Sequence, residues 1–420
     1  MKHNTLIVLL IFLIFSAISL ITNILGPLVP DIITSFNLSI GLAGFLPFSF
    51  FVAYGVMSVP GGLLIERYSE KTVIIIGFFV SFSAALFFAL VPTFTTALLS
   101  LFAIGIGMAM LQVVINPLLR QAGGDKHFAF NSVLANFFFG AASMVSPLLY
   151  STLVNNIHTG SRNPLITLFD NLVTSDLKWV SLYWVFAVTS VLMMLIVFIV
   201  RFPKVELKED EKIETGAVLM SLLKERTVQL YFLGIFCYVG TEQGIANWTS
   251  KFLELYHGVD PSTQGAIAIA WFWGLITGGC FVGLFLLKLF DSRRVLIVFA
   301  CGALVALLLA LFGSKEIAMI AFPATGFFLS IMWSVVFSLG MNSLPSHHGT
   351  FSGILVTGIV GGAVVPLIIG ALAELMGLQF AMLFMLFTLS YVLSIGIWAR
   401  PLVNNATVNL REIFSKKMTS

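Results

Sequence analysis

The chain has 420 residues, 59% of them apolar and only 10% charged, with a mean hydropathy of +1.03. No soluble globular composition looks like this, and apolar runs of about 18 residues or more recur along the whole length, each long enough to cross a hydrocarbon core of about 30 Å as a helix. The chain reads as a polytopic membrane protein, and its net charge of +3 acquires meaning only when divided between the two sides of the membrane.

The first run follows Met1-Lys2-His3, lacks a small-residue cleavage pattern and continues past about 20 apolar or small positions, so it reads as a retained span and not a removed signal peptide. Hydropathy and helix breakers predict twelve spans, near 5–30, 41–65, 72–91, 94–119, 127–154, 179–200, 227–256, 262–287, 294–312, 317–343, 350–373 and 379–399. An even number puts both termini on one side. The loops on that side hold 18 Lys and Arg residues, whereas the other side holds only Arg162, Lys178, Lys251 and Lys315. This positive-inside bias predicts a cell inner membrane location with both termini cytoplasmic. Cys237, Cys280 and Cys301 fall inside spans without paired spacing, which points to packing and to no disulfide or structural metal.

After six spans comes the one long charged loop, Arg201–Arg226, RFPKVELKEDEKIETGAVLMSLLKER. Its mixed charge reads as a solvated linker, dividing the chain into six-helix bundles at 1–200 and 227–420, with the linker at 201–226. The longest segment on the other side, Asn155–Lys178, carries no interpretable motif.

An internal repeat supports two equivalent halves. Adding 221 to the loop between spans 2 and 3 maps Gly62 onto Gly283, Arg67 onto Lys288 and Glu70 onto Asp291, and Pro147 in span 5 matches Pro366 in span 11 under nearly the same offset. Two like-built halves related by an axis along the membrane normal form a transporter architecture that rocks around a central site. Gly62, Glu66, Arg67 and Lys71, echoed by Lys288 and Asp291, then read as a cytoplasmic gate: the glycine permits close helix approach, and the charges bridge neighbouring helix ends. The alternative for the basic residues is that they only set topology.

The Gly62-x-x-x-Glu66-Arg67-x-x-x-Lys71 pattern between spans 2 and 3 resembles the signature loop of the major facilitator superfamily (MFS). Phe236–Gly240 (FCYVG), the Asn116-Pro117 pair, Ser330–Gly340 and Gly358–Gly370 resemble the fucose/galactose/glucose cation-symporter family within it, a likeness running through essentially all twelve spans. The resemblance implies an all-α fold of two pseudo-symmetric six-helix bundles and sugar uptake driven by a cation gradient. Asn23 matches the fucose branch's helix-one Asn, but that branch's proton-linked Asp falls at Gly26, its helix-four Glu at Gln112, and its helix-five Gln near Leu134, with Asn131 and Asn136 nearby. Both carboxylates tied to proton coupling in that branch are absent.

One acid remains deep in the bundle. Glu242 stands in the middle of span 7, and a charge at bilayer depth costs about 2.5–3.5 kcal/mol on insertion scales, so such residues face a bundle interior, a partner or a water-filled cavity. It is the candidate for coupling, taking Na+ as a hard oxygen ligand or H+ by titration, with a structural acid as the alternative. Asn23, Gln112, Asn116, Asn131, Asn136, Gln243 and Asn247 come from spans 1, 4, 5 and 7, and neutral amides suit a polyhydroxylated solute that both donates and accepts hydrogen bonds. Interhelical hydrogen bonding is their rival role.

Trp248, Trp273 and Trp333 are candidates for stacking on a pyranose face; Trp271 and Trp273 lie about 200° apart on a helix, so only one of them can face inward. No phosphate-cradling loop, metal cluster or nucleophile–base pair occurs in the sequence, which argues against an ATP-driven pump or an enzyme, and nothing marks a nucleic-acid partner or a cofactor beyond the coupling ion. The expected function is monomeric import of a hexose such as glucose or galactose by cation symport. An amphiphile exporter and a non-transporting sugar sensor are the alternatives.

Overall fold

The computed structural model describes residues 5–123, 128–161, 163–202, 216–345 and 347–402. Among them, eleven helices are long and apolar enough to cross a membrane. A twelfth, Arg226–His257, is 32 residues long and is interrupted in its apolar run by Glu242, Lys251 and Glu254. In chain order the spans are: span 1, Thr5–Phe36; span 2, 40–67; span 3, Glu70–Leu90; span 4, Phe94–Gly123; span 5, Phe128–Asn156; and span 6, Ser175–Ile199. The second set is: span 7, Arg226–His257; span 8, Pro261–Leu289; span 9, Ser292–Phe312; span 10, Lys315–Met341; span 11, 348–376; and span 12, Leu378–Trp398. All twelve expected spans are present.

Span 1 runs further than expected and is broken. Helix Thr5–Thr22 stops at Asn23-Ile24 and restarts as Leu25–Phe36. Pro27 has no N–H to give to the carbonyl four residues back, but the first turn of a new helix does not need that donor, so the chain restarts there. Pro30 then sits inside the second segment without ending it.

Two expectations about the loops change. The linker contains a helix, Gly216–Lys224, whose Leu222 is buried and which packs on span 7; its apolar run AVLMSLL gives it a face to bury. Residues 203–215 lie outside the described residues. In the loop after span 5, Pro164–Leu172 is also helical.

The repeat is visible in matched caps, shifted by one residue from the sequence alignment. Spans 3 and 9 each have 21 residues and start at Glu70 and Ser292, an offset of 292 − 70 = 222. Ser69 caps the first by accepting from Thr72 N at 3.3 Å, and Asp291 caps the second by accepting from Arg293 N at 2.8 Å. Lys71 Nζ then donates to Phe198 O and Val200 O at the end of span 6, at 2.6 and 2.9 Å, while Arg293 Nη1 donates to Ala399 O at the end of span 12, at 3.3 Å.

Lys71 and Asp291 make these contacts within their own six-span sets. Lys288 is exposed in the last turn of span 8, where a cation complements the helix dipole. The side chains of Gly62, Glu66 and Arg67 lie outside the described residues.

The two sets of six meet at the end carrying Asp31, Asp260 and Glu374. There Glu374 Oε1 accepts from Gly41 N at 3.1 Å, and Asn155 and Ser262 exchange two hydrogen bonds of 3.2 Å. Tyr150 OH donates to Asp31 Oδ2 at 2.7 Å within the first set. This end is closed.

Candidate functional site

From Cys237 to Leu253 every residue of span 7 is buried except Glu242, which keeps accessible surface. Both carboxylate oxygens are nevertheless met by neighbours. Tyr238, one turn earlier on the same face, donates its hydroxyl to Oε2, and Gln243 Nε2 donates to Oε1 at 3.2 Å. Asn247 Nδ2 continues the ladder, donating to Gln243 O at 2.7 Å. Thr241, about 100° around the helix from Glu242, bonds Thr388 of span 12 at 2.5 Å and fixes the rotation of span 7 that leaves Glu242 accessible.

The Tyr238 ring lies against Trp333 of span 10, centroids 6.3 Å apart, and Trp333 stacks on Phe337 at 6.1 Å with 19° between planes. Spans 7 and 10 thus gather one acid, one phenol and one half-buried indole. Sequence reading singled out Glu242 and Trp333 but missed Tyr238, whose signal was its position four residues before the acid.

The other candidates divide. Gln243 and Asn247 are buried at 5% and 2% exposure and belong to the ladder. Gln112 on span 4 and Asn131 on span 5 are half-buried, and Asn136 on span 5 is exposed. The Asn116 side chain lies outside the described residues.

Asn23 is committed elsewhere: its Nδ2 donates to Ser143 Oγ at 2.8 Å, inside a run of hydroxyls where Ser19 and Ser143 also bond at 2.6 Å. Here the interhelical role holds, because the break in span 1 turns this amide toward span 5. Trp248 is likewise a core residue, 1% exposed, donating its indole N–H to Pro366 O at 3.1 Å, so its ring is packed against span 11 and presents no open face. Trp273 is the inward member of its pair, 4% exposed with a buried indole N–H that has no partner, while Trp271 is 53% exposed.

Gly26, where the fucose branch carries its proton-linked Asp, faces the backbone of span 7. A Cβ built there would lie 2.1 Å from Ala246 O, so this arrangement of the closed end leaves no room for an acid at that position. Among the described residues no group of three or more His, Cys, Asp or Glu could hold a metal ion.

The sequence matches the family model of the Major Facilitator Superfamily over residues 11–359. A glucose/galactose transporter of Brucella abortus is 30% identical over 397 residues, covering 92% of each chain. An L-fucose-proton symporter of Escherichia coli strain K12 is 25% identical over 374 residues, 84% of each chain. The crystal structure of the MFS transporter FucP in the outward conformation superposes with a TM-score of 0.69 at 22% identity, covering 95% of this chain and all of that one.

Proposed function

This chain belongs to the major facilitator superfamily, and from that premise we propose that it imports a neutral hexose together with a cation by alternating access. The observation that carries the reading is Glu242, the one accessible residue in an otherwise buried stretch of span 7, held by Tyr238 and Gln243 beside Trp333. The named activities of the Brucella and Escherichia relatives support a sugar as the cargo.

In this reading Glu242 takes the coupling ion, Na+ or H+. Trp333 offers a flat apolar face to the C–H side of a pyranose, and Gln112, Asn131 and Asn136, with the buried indole N–H of Trp273, answer the hydroxyls. Binding at one end favours closure at the other, because a ligand shifts a two-state equilibrium by its differential affinity. The basic end, with Lys71, Lys288 and Arg293, is the cytoplasmic face of the inner membrane. The two six-span sets are the bodies that rock, and the working unit is the monomer.

The test is counterflow in proteoliposomes with a panel of labelled sugars, varying Na+ and pH independently. Exchange of a hexose, with accumulation following one imposed ion gradient, is the expected result. Absence of exchange for every sugar, with efflux of amphiphilic cations instead, would replace this reading by that of an exporter.

A further inference from the structure

At the closed end, span 1 meets span 7 through a glycine. Gly26, at the start of helix Leu25–Phe36, abuts the backbone of Ala246; a Cβ there would lie 2.1 Å from Ala246 O, 3.0 Å from its carbonyl carbon and 3.2 Å from Ile269 Cδ1 of span 8. Ala246 is one turn beyond Glu242 on an unbroken 32-residue helix, so any shift of the Glu242 turn is carried directly to it. On the other side of the contact, Leu25–Phe36 is separated from the rest of span 1 by the interruption at Asn23-Ile24. That break gives the segment a place to swing. Its far end leads to Asp31 and then, through the next helix start, to the Gly41–Glu374 hydrogen bond.

We propose that the Gly26–Ala246 contact links the Glu242 turn of span 7 to closure of the acidic end, with Gly26 as a positioning residue for transport. Only a residue without a side chain lets the swinging segment reach the helix that bears the acid. Any Cβ must hold the two sets of spans apart at this level, and the outer contacts at Glu374 and Ser262 then part as well. The proposal rests on access alternating between two ends and not on the identity of the cargo.

The experiment is cross-linking across the closed end. Asn155 and Ser262, which meet through 3.2 Å hydrogen bonds, are both changed to cysteine in a Cys301→Ser background, since Cys301 is the exposed native cysteine among the described residues. A short bifunctional thiol reagent joins them in the full-length protein without any sugar. Adding Gly26→Ala is expected to slow the initial rate of cross-linking about tenfold, because the closed form becomes the minor one.

Gly326→Ala is the control: Gly326 is equally tight against Phe272 O at 2.3 Å, but both lie in the second set of spans, so it should lower thermal stability and leave the cross-linking rate of folded protein unchanged. Gly26→Ala combined with Ile269→Val, which removes the Ile269 Cδ1 that would lie 3.2 Å from the new Cβ, serves if Gly26→Ala alone does not fold. Cross-linking of either contact variant at the parent rate overturns the proposal, as does slowing by Gly326→Ala to the same degree. Failure of every sugar in counterflow would not touch it.

Discussion

At the scale of single residues, charge and shape separate the side chains that act from those that pack. Glu242 is half-buried where all its neighbours in Cys237–Leu253 are buried. Glu242→Gln preserves size and hydrogen-bonding capacity but cannot carry the charge that a cation neutralises. Its expected phenotype is hexose counterflow retained and gradient-driven accumulation abolished; accumulation as steep as in the parent protein would show that the acid is structural.

The two tryptophans give a contrasting pair. Trp248→Phe removes the donor to Pro366 O, whose carbonyl keeps its own helical partner, so the lost hydrogen bond costs about 0.5–1.5 kcal/mol and thermal stability should fall while sugar selectivity stays. Trp333→Ala strips a half-buried ring next to Tyr238, and here the expectation is reversed: the unfolding temperature changes little, and the sugar concentration for half-maximal counterflow rises about tenfold, the equivalent of 1.4 kcal/mol.

Elements are decided at their ends. Span 9 begins on Asp291, whose carboxylate accepts from the Arg293 side chain at 3.0 and 3.1 Å and from its backbone N–H at 2.8 Å; these bonds, the side-chain ones first, hold the carboxyl below the usual carboxylate range. A depressed value in the folded state adds stability above the unfolded-state value and loses it as pH falls through that range. The unfolding temperature of the parent minus that of Asp291→Asn should therefore be constant between about pH 7 and 5 and shrink below about pH 4. With the aspartate 29% and the arginine 36% exposed, the pair is worth under about 1 kcal/mol, so the difference is about 2 °C or less. A difference that grows on acidification would contradict the cap.

The same scale shows what could be read in the sequence. The twelve spans were legible because about 20 apolar residues in a row have no other use, and span 7 was legible despite its charges because Glu242 sat centrally in the run. The break at Asn23 was hidden although Pro27 was in plain view, since a proline in an apolar run also fits an unbroken helix. The helix Gly216–Lys224 was masked by the acidic and basic residues that dominate the linker's average. For the site, the 200° separation of Trp271 and Trp273 decided correctly that only one faces inward. Asn23 and Trp248 were read as ligands because their partners, Ser143 and Pro366, lie about 120 residues away in sequence, a distance at which spacing carries no information.

For the whole molecule, alternating access requires each set of six spans to move as a body, and the structure contains a bracket suited to that in both sets. Lys71 ties the start of span 3 to the end of span 6, and Arg293 ties the start of span 9 to the end of span 12. Each bracket closes a set by fastening its last helix to its third, and among the described residues neither has a hydrogen-bond partner in the opposite set. Lys71→Met keeps the aliphatic stem and removes the donor, at an expected cost of about 1–2 kcal/mol, and Arg293→Met acts likewise. Because the two brackets share no partner, their costs in thermal or denaturant unfolding should add within about 0.5 kcal/mol in the double variant, with the Asn155–Ser262 cross-linking rate unchanged. A double variant departing from the sum by about 1 kcal/mol or more would mean that the two sets are energetically joined at the basic end.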